Sequence, residues 1–172
     1  SVHVTFRLTE NEFTAVEEVK FTVQDTTAPE LFFDNNYDDT EPLKVTVGDS
    51  VNLPDVRTLE ADVDITSPEV DTSTVGAQTV SYTAQDTAGN QATLQLVVHV
   101  LPKLEINTTL LNVERNTTVT DWTSYLKTEL TEVQTLDVVI DGDTRTEYTF
   151  STTGSVHVTF RLTENEFTAV EE

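Results

Sequence analysis

The first 18 residues of the chain return letter for letter at its other end. Residues 1–18 read Ser-Val-His-Val-Thr-Phe-Arg-Leu-Thr-Glu-Asn-Glu-Phe-Thr-Ala-Val-Glu-Glu, and residues 155–172 repeat them, which sets an offset of 154 residues. Identity over so many positions indicates a tandem array of near-identical repeats, from which this stretch spans slightly more than one period. An engineered duplication or permutation is the alternative. In both cases the same 18-residue sequence has to be compatible with the fold at two places.

A weaker repeat inside this period divides the chain into two β units. Gly76 and Gly154 are each followed by a valine after four residues and an aromatic residue after six, and each stretch reads as strand, four-residue turn, strand. The pattern predicts unit A at residues 25–101 and unit B at residues 102–172. Residues 1–24 are then the C-terminal strands of the preceding copy of unit B.

Residue usage favours strands throughout the chain. Threonine and valine are abundant and glycine occurs only five times, a balance typical of β-structure. The alternating segments 43–47 and 137–140 each stop at a glycine-containing turn, and residues 144–150 resume the alternation. The one helical candidate is a turn or two within residues 121–127.

The sequence therefore predicts an all-β chain of two antiparallel immunoglobulin-like β-sandwiches in tandem, end to end. Unit B, as present here, is expected to lack its last strand. The predicted core of unit A is Val45, Val47, Val80, Tyr82, Leu96 and Val98. The predicted core of unit B is Trp122, Leu126, Val138, Ile140, Val158 and Phe160.

The charge of the chain excludes several classes of partner. Thirty-one acidic residues against nine basic ones give a formal charge of −22, which repels nucleic acid and anionic membrane surfaces. Cysteine is absent, so disulfides and thiolate sites are excluded. No apolar run reaches membrane-spanning length, and neither a nucleophile elbow nor a phosphate-binding glycine loop occurs. The sequence predicts a protein that is not an enzyme, with no nucleic-acid partner and no membrane insertion.

Several short motifs of unit A occur in the order of a known family. They include Asp25-Thr-Thr-Ala-Pro29, Lys44-Val-Thr-Val-Gly48, Val80-Ser-Tyr-Thr-Ala-Gln-Asp86 and Ala88-Gly-Asn90. Through them unit A resembles the bacterial immunoglobulin-like tandem repeats of large cell-surface and adhesin proteins, of the group related to the HYR domain. Unit B resembles the group more distantly, with Thr163-Glu-Asn-Glu166 in place of the Asp-x-Ala-Gly-Asn turn. The resemblance implies an extracellular location on a bacterial cell surface and no catalysis.

Calcium is the one cofactor for which the sequence offers candidate ligands. Calcium takes six to eight oxygen ligands from carboxylates, amides and carbonyls, and unit A offers such oxygens in a dense run and near its ends. The candidate ligands are Asp25, Asp34, Asn36, Asp38, Asp62, Asp64 and Asp86. Asp62 and Asp64 are expected to point the same way on one strand. The alternative is that all of these are solvated surface acids and turn formers.

Two functions fit these observations. The first is a structural stalk or spacer of an extracellular bacterial surface protein or fibre, whose like-charged modules repel one another and keep a rod extended. The second is an adhesion module that binds a host protein or glycan through loops at the ends of the sandwiches. The exact repeat favours the first, because a unit that supplies length can be copied unchanged.

The expected partners are neighbouring repeats or head-to-tail copies of the same chain. Residues 19–23, which would form the last strand of unit B, occur once in the chain, at the end opposite to that unit. An isolated two-stranded hairpin is marginal in water. The sequence therefore predicts that residues 1–24 of one copy complete the 103–154 sheet of another copy, in a contact that builds a filament because it does not close.

Overall fold

The computed structural model describes residues 1–34 and 37–172, and regular structure in this part of the chain consists of β-strands and two 3-10 turns. The strands are β1 Val2–Glu10, β2 Phe13–Phe21, β3 Phe32–Phe33, β4 Leu43–Thr46, β5 Val56–Arg57, β6 Asp64–Thr66, β7 Gly76–Gln85, β8 Gln91–Leu101, β9 Thr118–Val119, β10 Thr135–Ile140, β11 Asp143–Thr144, β12 Tyr148–Thr149, β13 Val158–Glu164 and β14 Phe167–Glu171. The 3-10 turns are Thr108–Leu110 and Thr123–Tyr125.

Unit A has a four-stranded sheet in the order β4-β8-β7-β6 and a separate pair, β3-β5. Strands β7 and β8 pair antiparallel along their length, whereas β4 runs parallel to β8. Side chains alternate between buried and exposed along β7, as the period of a half-buried strand requires. The buried positions meet in one core around Tyr82, Leu96 and Val98.

Unit B also has a four-stranded sheet, in the order β11-β10-β13-β14, and a separate pair, β12-β9. All pairs in its four-stranded sheet are antiparallel, and the hairpin strand β14 lies at the edge. Its core contains Trp122, Val138, Ile140 and Phe160. The indole ring of Trp122 lies 6.2 Å from the ring of Phe160, nearly edge to face. Because the two units have separate core clusters, each sheet is stabilised by its own apolar contacts.

The predicted all-β, immunoglobulin-like class is confirmed, and all of the predicted core residues are buried or partly buried. Those that are buried are Tyr82, Leu96, Val98, Trp122, Val138, Ile140 and Phe160. Those that are partly buried against a core are Val45, Val80, Leu126 and Val158. Val47 is partly buried but belongs to neither cluster. The end-to-end tandem of units 25–101 and 102–172 stays a prediction.

Local predictions were partly wrong at turns and strand ends. The β13–β14 hairpin has a two-residue turn, Asn165 and Glu166, both with positive φ, rather than a four-residue one. Residues 144–150 do not form one strand, because β11 pairs with β10 whereas β12 pairs with β9 in the other sheet. The helical candidate is the single 3-10 turn Thr123–Tyr125.

Residues 1–21 form a hairpin, β1–β2, that joins neither four-stranded sheet. Its nine cross-strand pairs run from Val2 opposite Phe21 to Glu10 opposite Phe13. Phe6 is 55% exposed there, whereas Phe160, the same residue of the repeat, is 4% exposed in unit B. Leu8 and Leu162 differ in the same way, at 73% and 2%. One sequence thus forms one hairpin in two environments.

The tip of the β13–β14 hairpin touches unit A. The ring of Phe167 lies 5.0 Å from the ring of His99 on β8, nearly edge to face. The side-chain amide of Asn165 donates a hydrogen bond of 3.4 Å to the carbonyl oxygen of Val75. These contacts restrain the junction between the two units.

Candidate functional site

Three carboxylates meet beside the turn that joins β7 to β8. Asp86 directly follows β7, Asp25 lies between β2 and β3, and Glu60 lies between β5 and β6. One carboxylate oxygen of each lies within 4.8 Å of the others, and Asp86 is buried while the other two side chains are exposed. We call these three residues the carboxylate cluster.

The side chain of Asn90 connects Asp86 to the main chain at Asp25. Its amide nitrogen Nδ2 donates to Oδ2 of Asp86 at 2.7 Å and to the main-chain carbonyl oxygen of Asp25 at 3.3 Å. The main-chain N–H of Asn90 donates to Oδ1 of Asp86 at 2.8 Å, and the N–H of Asp86 donates to the carbonyl of Asn90. The β7–β8 turn is therefore closed by hydrogen bonds to Asp86, and it also binds the irregular segment at Asp25.

Hydrogen bonding keeps Asp86 ionised despite its burial. The side-chain amide of Asn90 has the largest effect and lowers the pKa of Asp86 below its ordinary value of 3.8. Main-chain N–H groups of Asn90, Gly89 and Ala88 lower this pKa further, while burial opposes them. A carboxylate that accepts several N–H bonds is stabilised in its charged form. The site thus has a fixed negative charge at neutral pH.

The carboxylate cluster offers the oxygen donors that a hard cation takes. Three carboxylates offer up to six oxygens, and calcium takes six to eight oxygens at 2.3–2.6 Å. Both oxygens of Asp86 already accept hydrogen bonds, so its buried carboxylate also has a structural role in closing the turn. The residues present fit the donor chemistry of calcium, and they equally fit a turn supported by solvated acids.

The structure brings together two of the seven sequence-predicted ligands, Asp25 and Asp86. Asp34 lies 3.8 Å from Nε of Arg57. Asp38 accepts hydrogen bonds from the main-chain N–H and the hydroxyl of Thr40, and these bonds lower the pKa of Asp38. Within the described residues, neither aspartate belongs to a three-residue ligand group.

The remaining predicted ligands also lie apart from the cluster. The prediction that Asp62 and Asp64 share a strand was wrong, because β6 begins at Asp64 and Asp62 has φ 57° in the turn before it. Asp62 and Asp64 are exposed. Asn36 lies outside the described residues.

Glu60 is the member of the cluster that sequence reasoning missed. It lies in the irregular segment between β5 and β6, where no alternation or motif predicts a partner. Its main-chain N–H donates to the hydroxyl of Thr58 at 3.2 Å, which shapes a local turn. The serine or threonine turn signal was present in the sequence, but the meeting with Asp25 and Asp86 depends on the tertiary fold.

The paired sheets and their separate cores define an immunoglobulin-like fold. Residues 35–100 match the family model described as bacterial surface protein, Ig-like domain. The match supports an immunoglobulin-like surface repeat and a location at the bacterial cell surface. Comparison with curated proteins and with solved structures found no match to the chain. Among the described residues, no helix has the length and apolar character needed to cross a membrane.

Proposed function

We propose that this chain is a structural repeat module, a stalk or spacer, of an extracellular bacterial surface protein, with no catalytic role. The observation that carries the proposal is the letter-for-letter recurrence of residues 1–18 at residues 155–172. A module that supplies length can be copied without redesign. The match of residues 35–100 to a bacterial surface Ig-like domain supports the same role.

Restraint at the junction between units supports a spacer that holds its length. The ring contact between Phe167 and His99 and the hydrogen bond from Asn165 to Val75 connect unit B to unit A. Pro102, at the junction, is buried, and proline fixes its own backbone φ. A net charge of −22 makes neighbouring modules repel one another. Contact at the junctions and repulsion along the chain both favour an extended rod.

Small-angle X-ray scattering of chains with one, two and four periods tests this proposal. A restrained rod increases its maximum dimension in proportion to the number of periods, whereas freely jointed modules increase it with about the square root. Repeating the series in high salt separates the two contributions, because screening removes repulsion but leaves the ring contact in place. Square-root growth at low salt would contradict the proposal. Saturable binding of one period to a host glycan or matrix protein would favour the adhesion role instead.

A further inference from the structure

Unit B contains the tripeptide Asn-Thr-Thr twice, at residues 107–109 and at residues 116–118. Asn-x-Thr, with any residue but proline in the middle, is the sequence on which sugars are attached to asparagine in proteins of the cell exterior. The first copy lies between β8 and β9, and the second ends on β9. Because the two sequences are identical, any difference between them as acceptors of a sugar has to come from the structure around them.

The first copy leaves the amide nitrogen of its asparagine unengaged. Oδ1 of Asn107 accepts a hydrogen bond of 2.7 Å from the hydroxyl of Thr109 and one of 3.3 Å from the main-chain N–H of Thr109. Nδ2 of Asn107 makes no hydrogen bond within the described residues. The threonine that identifies the motif is therefore bound to the asparagine of the same motif, and the atom that would receive the sugar is available.

The second copy is built into a pair of strands instead. Thr118 lies on β9 opposite Thr149 of β12, and their hydroxyls share a hydrogen bond of 2.8 Å. The main-chain N–H of Asn116 donates a hydrogen bond of 2.7 Å to the carbonyl oxygen of Phe150. The hydroxyl of this threonine is thus engaged with the neighbouring strand, so an enzyme has to break that pairing before it can bind the motif.

The hydrogen bonds at Asn107 also assist the chemistry of sugar transfer. An amide nitrogen is a weak nucleophile, because its electron pair is delocalised into the carbonyl group. When Nδ2 gives up a proton, negative charge develops on Oδ1, and donors that already point at Oδ1 stabilise that charge. Thr109 supplies two such donors. Asn107 is therefore better prepared than Asn116 to attack an electrophilic carbon.

The surroundings of Asn107 allow an enzyme to reach it. Both threonines of the motif are exposed, and the 3-10 turn Thr108–Leu110 contains no buried residue. A turn without buried side chains opens at little cost in free energy. Leu110 and Leu111, which follow the motif, are 43% and 52% exposed, and a sugar on Asn107 would cover part of this apolar surface. The segment is therefore accessible in the folded chain.

We propose that Asn107 is an N-glycosylation site, which accepts a sugar that is activated at its anomeric carbon by a diphosphate. Nδ2 of Asn107 loses one proton to a base of the transferase and forms a bond to the anomeric carbon. The bond between that carbon and the diphosphate oxygen breaks, and the diphosphate leaves with the electron pair. The site goes beyond the spacer role proposed above, and an unmodified Asn107 would leave the scattering test of the spacer unaffected.

Glycosylation of the folded chain tests the proposal directly. The full-length protein is incubated with UDP-glucose and a soluble N-glycosyltransferase that recognises Asn-x-Thr, and peptide mass spectrometry follows both sites. Peptides of residues 104–112 and 113–121 are the controls, since neither retains the fold and both should be modified at similar rates. In the folded chain we expect glucose on Asn107 about tenfold faster than on Asn116. A folded chain that stays unmodified while the peptides react, or equal rates at the two sites, would overturn the proposal.

Substitutions separate the effect of structure from that of sequence. Thr149→Val removes the partner of the Thr118 hydroxyl and keeps a β-branched residue on β12, so it should raise the rate at Asn116 severalfold and leave Asn107 unchanged. Thr109→Ser keeps a hydroxyl, so Asn107 should still be modified, whereas Asn107→Gln should remove that product. An unchanged rate at Asn116 in Thr149→Val would contradict the strand pairing as the cause of the difference.

Mass spectrometry of the protein isolated from the cells that make it tests whether the site is used. We expect the peptide that contains Asn107 to be heavier by the mass of a sugar, with the peptide that contains Asn116 as the internal control. A peptide that carries no sugar on Asn107 would refute the assignment.

Discussion

The hydroxyl of Tyr82 ties the core of unit A to a distant segment, and its removal has a predictable cost. Tyr82 is 1% exposed on β7, and its hydroxyl donates a hydrogen bond of 2.6 Å to the carbonyl oxygen of Pro54. Burial has the largest effect on its pKa, which is raised above 10.0, so the hydroxyl keeps its proton at neutral pH. Tyr82→Phe removes the donor and leaves the ring in place.

The expected loss follows from the net value of a neutral hydrogen bond. Such a bond contributes about 0.5–1.5 kcal/mol, and an acceptor left buried without a donor adds to the cost. We therefore expect Tyr82→Phe to lower the free energy of unfolding by about 1–2 kcal/mol. For a unit of this size that corresponds to a melting temperature lower by about 4–8 °C for each kcal/mol.

Tyr37 supplies a matched control for this substitution. Its hydroxyl is also buried but has no hydrogen-bond partner among the described residues, and its ring packs 4.8 Å from the ring of Phe33 in the same core. Tyr37→Phe removes an unsatisfied polar atom, so we expect stability to be unchanged or slightly increased. Urea unfolding followed by circular dichroism measures both variants. Equal losses for Tyr82→Phe and Tyr37→Phe would refute the reasoning from the hydrogen bond.

Three further predictions concern the cores and the carboxylate cluster. Ile140→Ala should lower the free energy of unfolding by about 2–5 kcal/mol, measured by urea unfolding followed through Trp122 fluorescence. Val98→Ala, in the other core, should leave that fluorescence transition unchanged. A shifted transition with Val98→Ala would contradict separate cores. The pKa of Asp86 is lower in the folded state, so its contribution to stability is present above about pH 4 and is lost as the pH falls through the lowered value. Between pH 7 and pH 2 the melting temperature of Asp86→Asn should therefore fall less steeply than that of the wild-type chain. If the carboxylate cluster binds calcium, millimolar calcium added to chelator-treated protein should raise the melting temperature by mass action and should not do so for Glu60→Gln; an unchanged wild-type curve would leave these acids as surface charges.

Turns with a glycine signal could be predicted from sequence, and a turn without one could not. Asp141 and Gly142 have φ of 55° and 84°, the positive values that a two-residue hairpin turn needs and that Asp-Gly accepts readily. Asn165 and Glu166 take φ of 48° and 71°, although glutamate rarely adopts that conformation. Strand pairing on both sides fixes this turn, and a hydrogen bond between the hydroxyls of Thr163 and Thr168 supports it. Local propensity therefore predicted the wrong turn length.

The alternation of apolar and polar residues predicted the cores well, because successive side chains of a strand point to opposite faces of the sheet, one towards the core and one towards water. The same reasoning could not predict how far Phe6 and Phe160 are buried. Their sequence neighbours are identical, yet one is exposed and the other buried. Burial of this hairpin depends on which sheet it packs against, and no local pattern records that. For the same reason Glu60 joined the carboxylate cluster without any signal in its own segment.

The parallel pairing of β4 with β8 has a mechanical consequence. Tension carried along unit A reaches β4 at its N-terminal end, Leu43, and leaves β8 at its C-terminal end, Leu101. Because these neighbouring strands run in the same direction, that pull slides them past each other and strains all of their cross-strand hydrogen bonds at once. The antiparallel hairpin β1–β2 would instead open one pair at a time when pulled at its free ends. Unit A should therefore resist stretching through shear between β4 and β8.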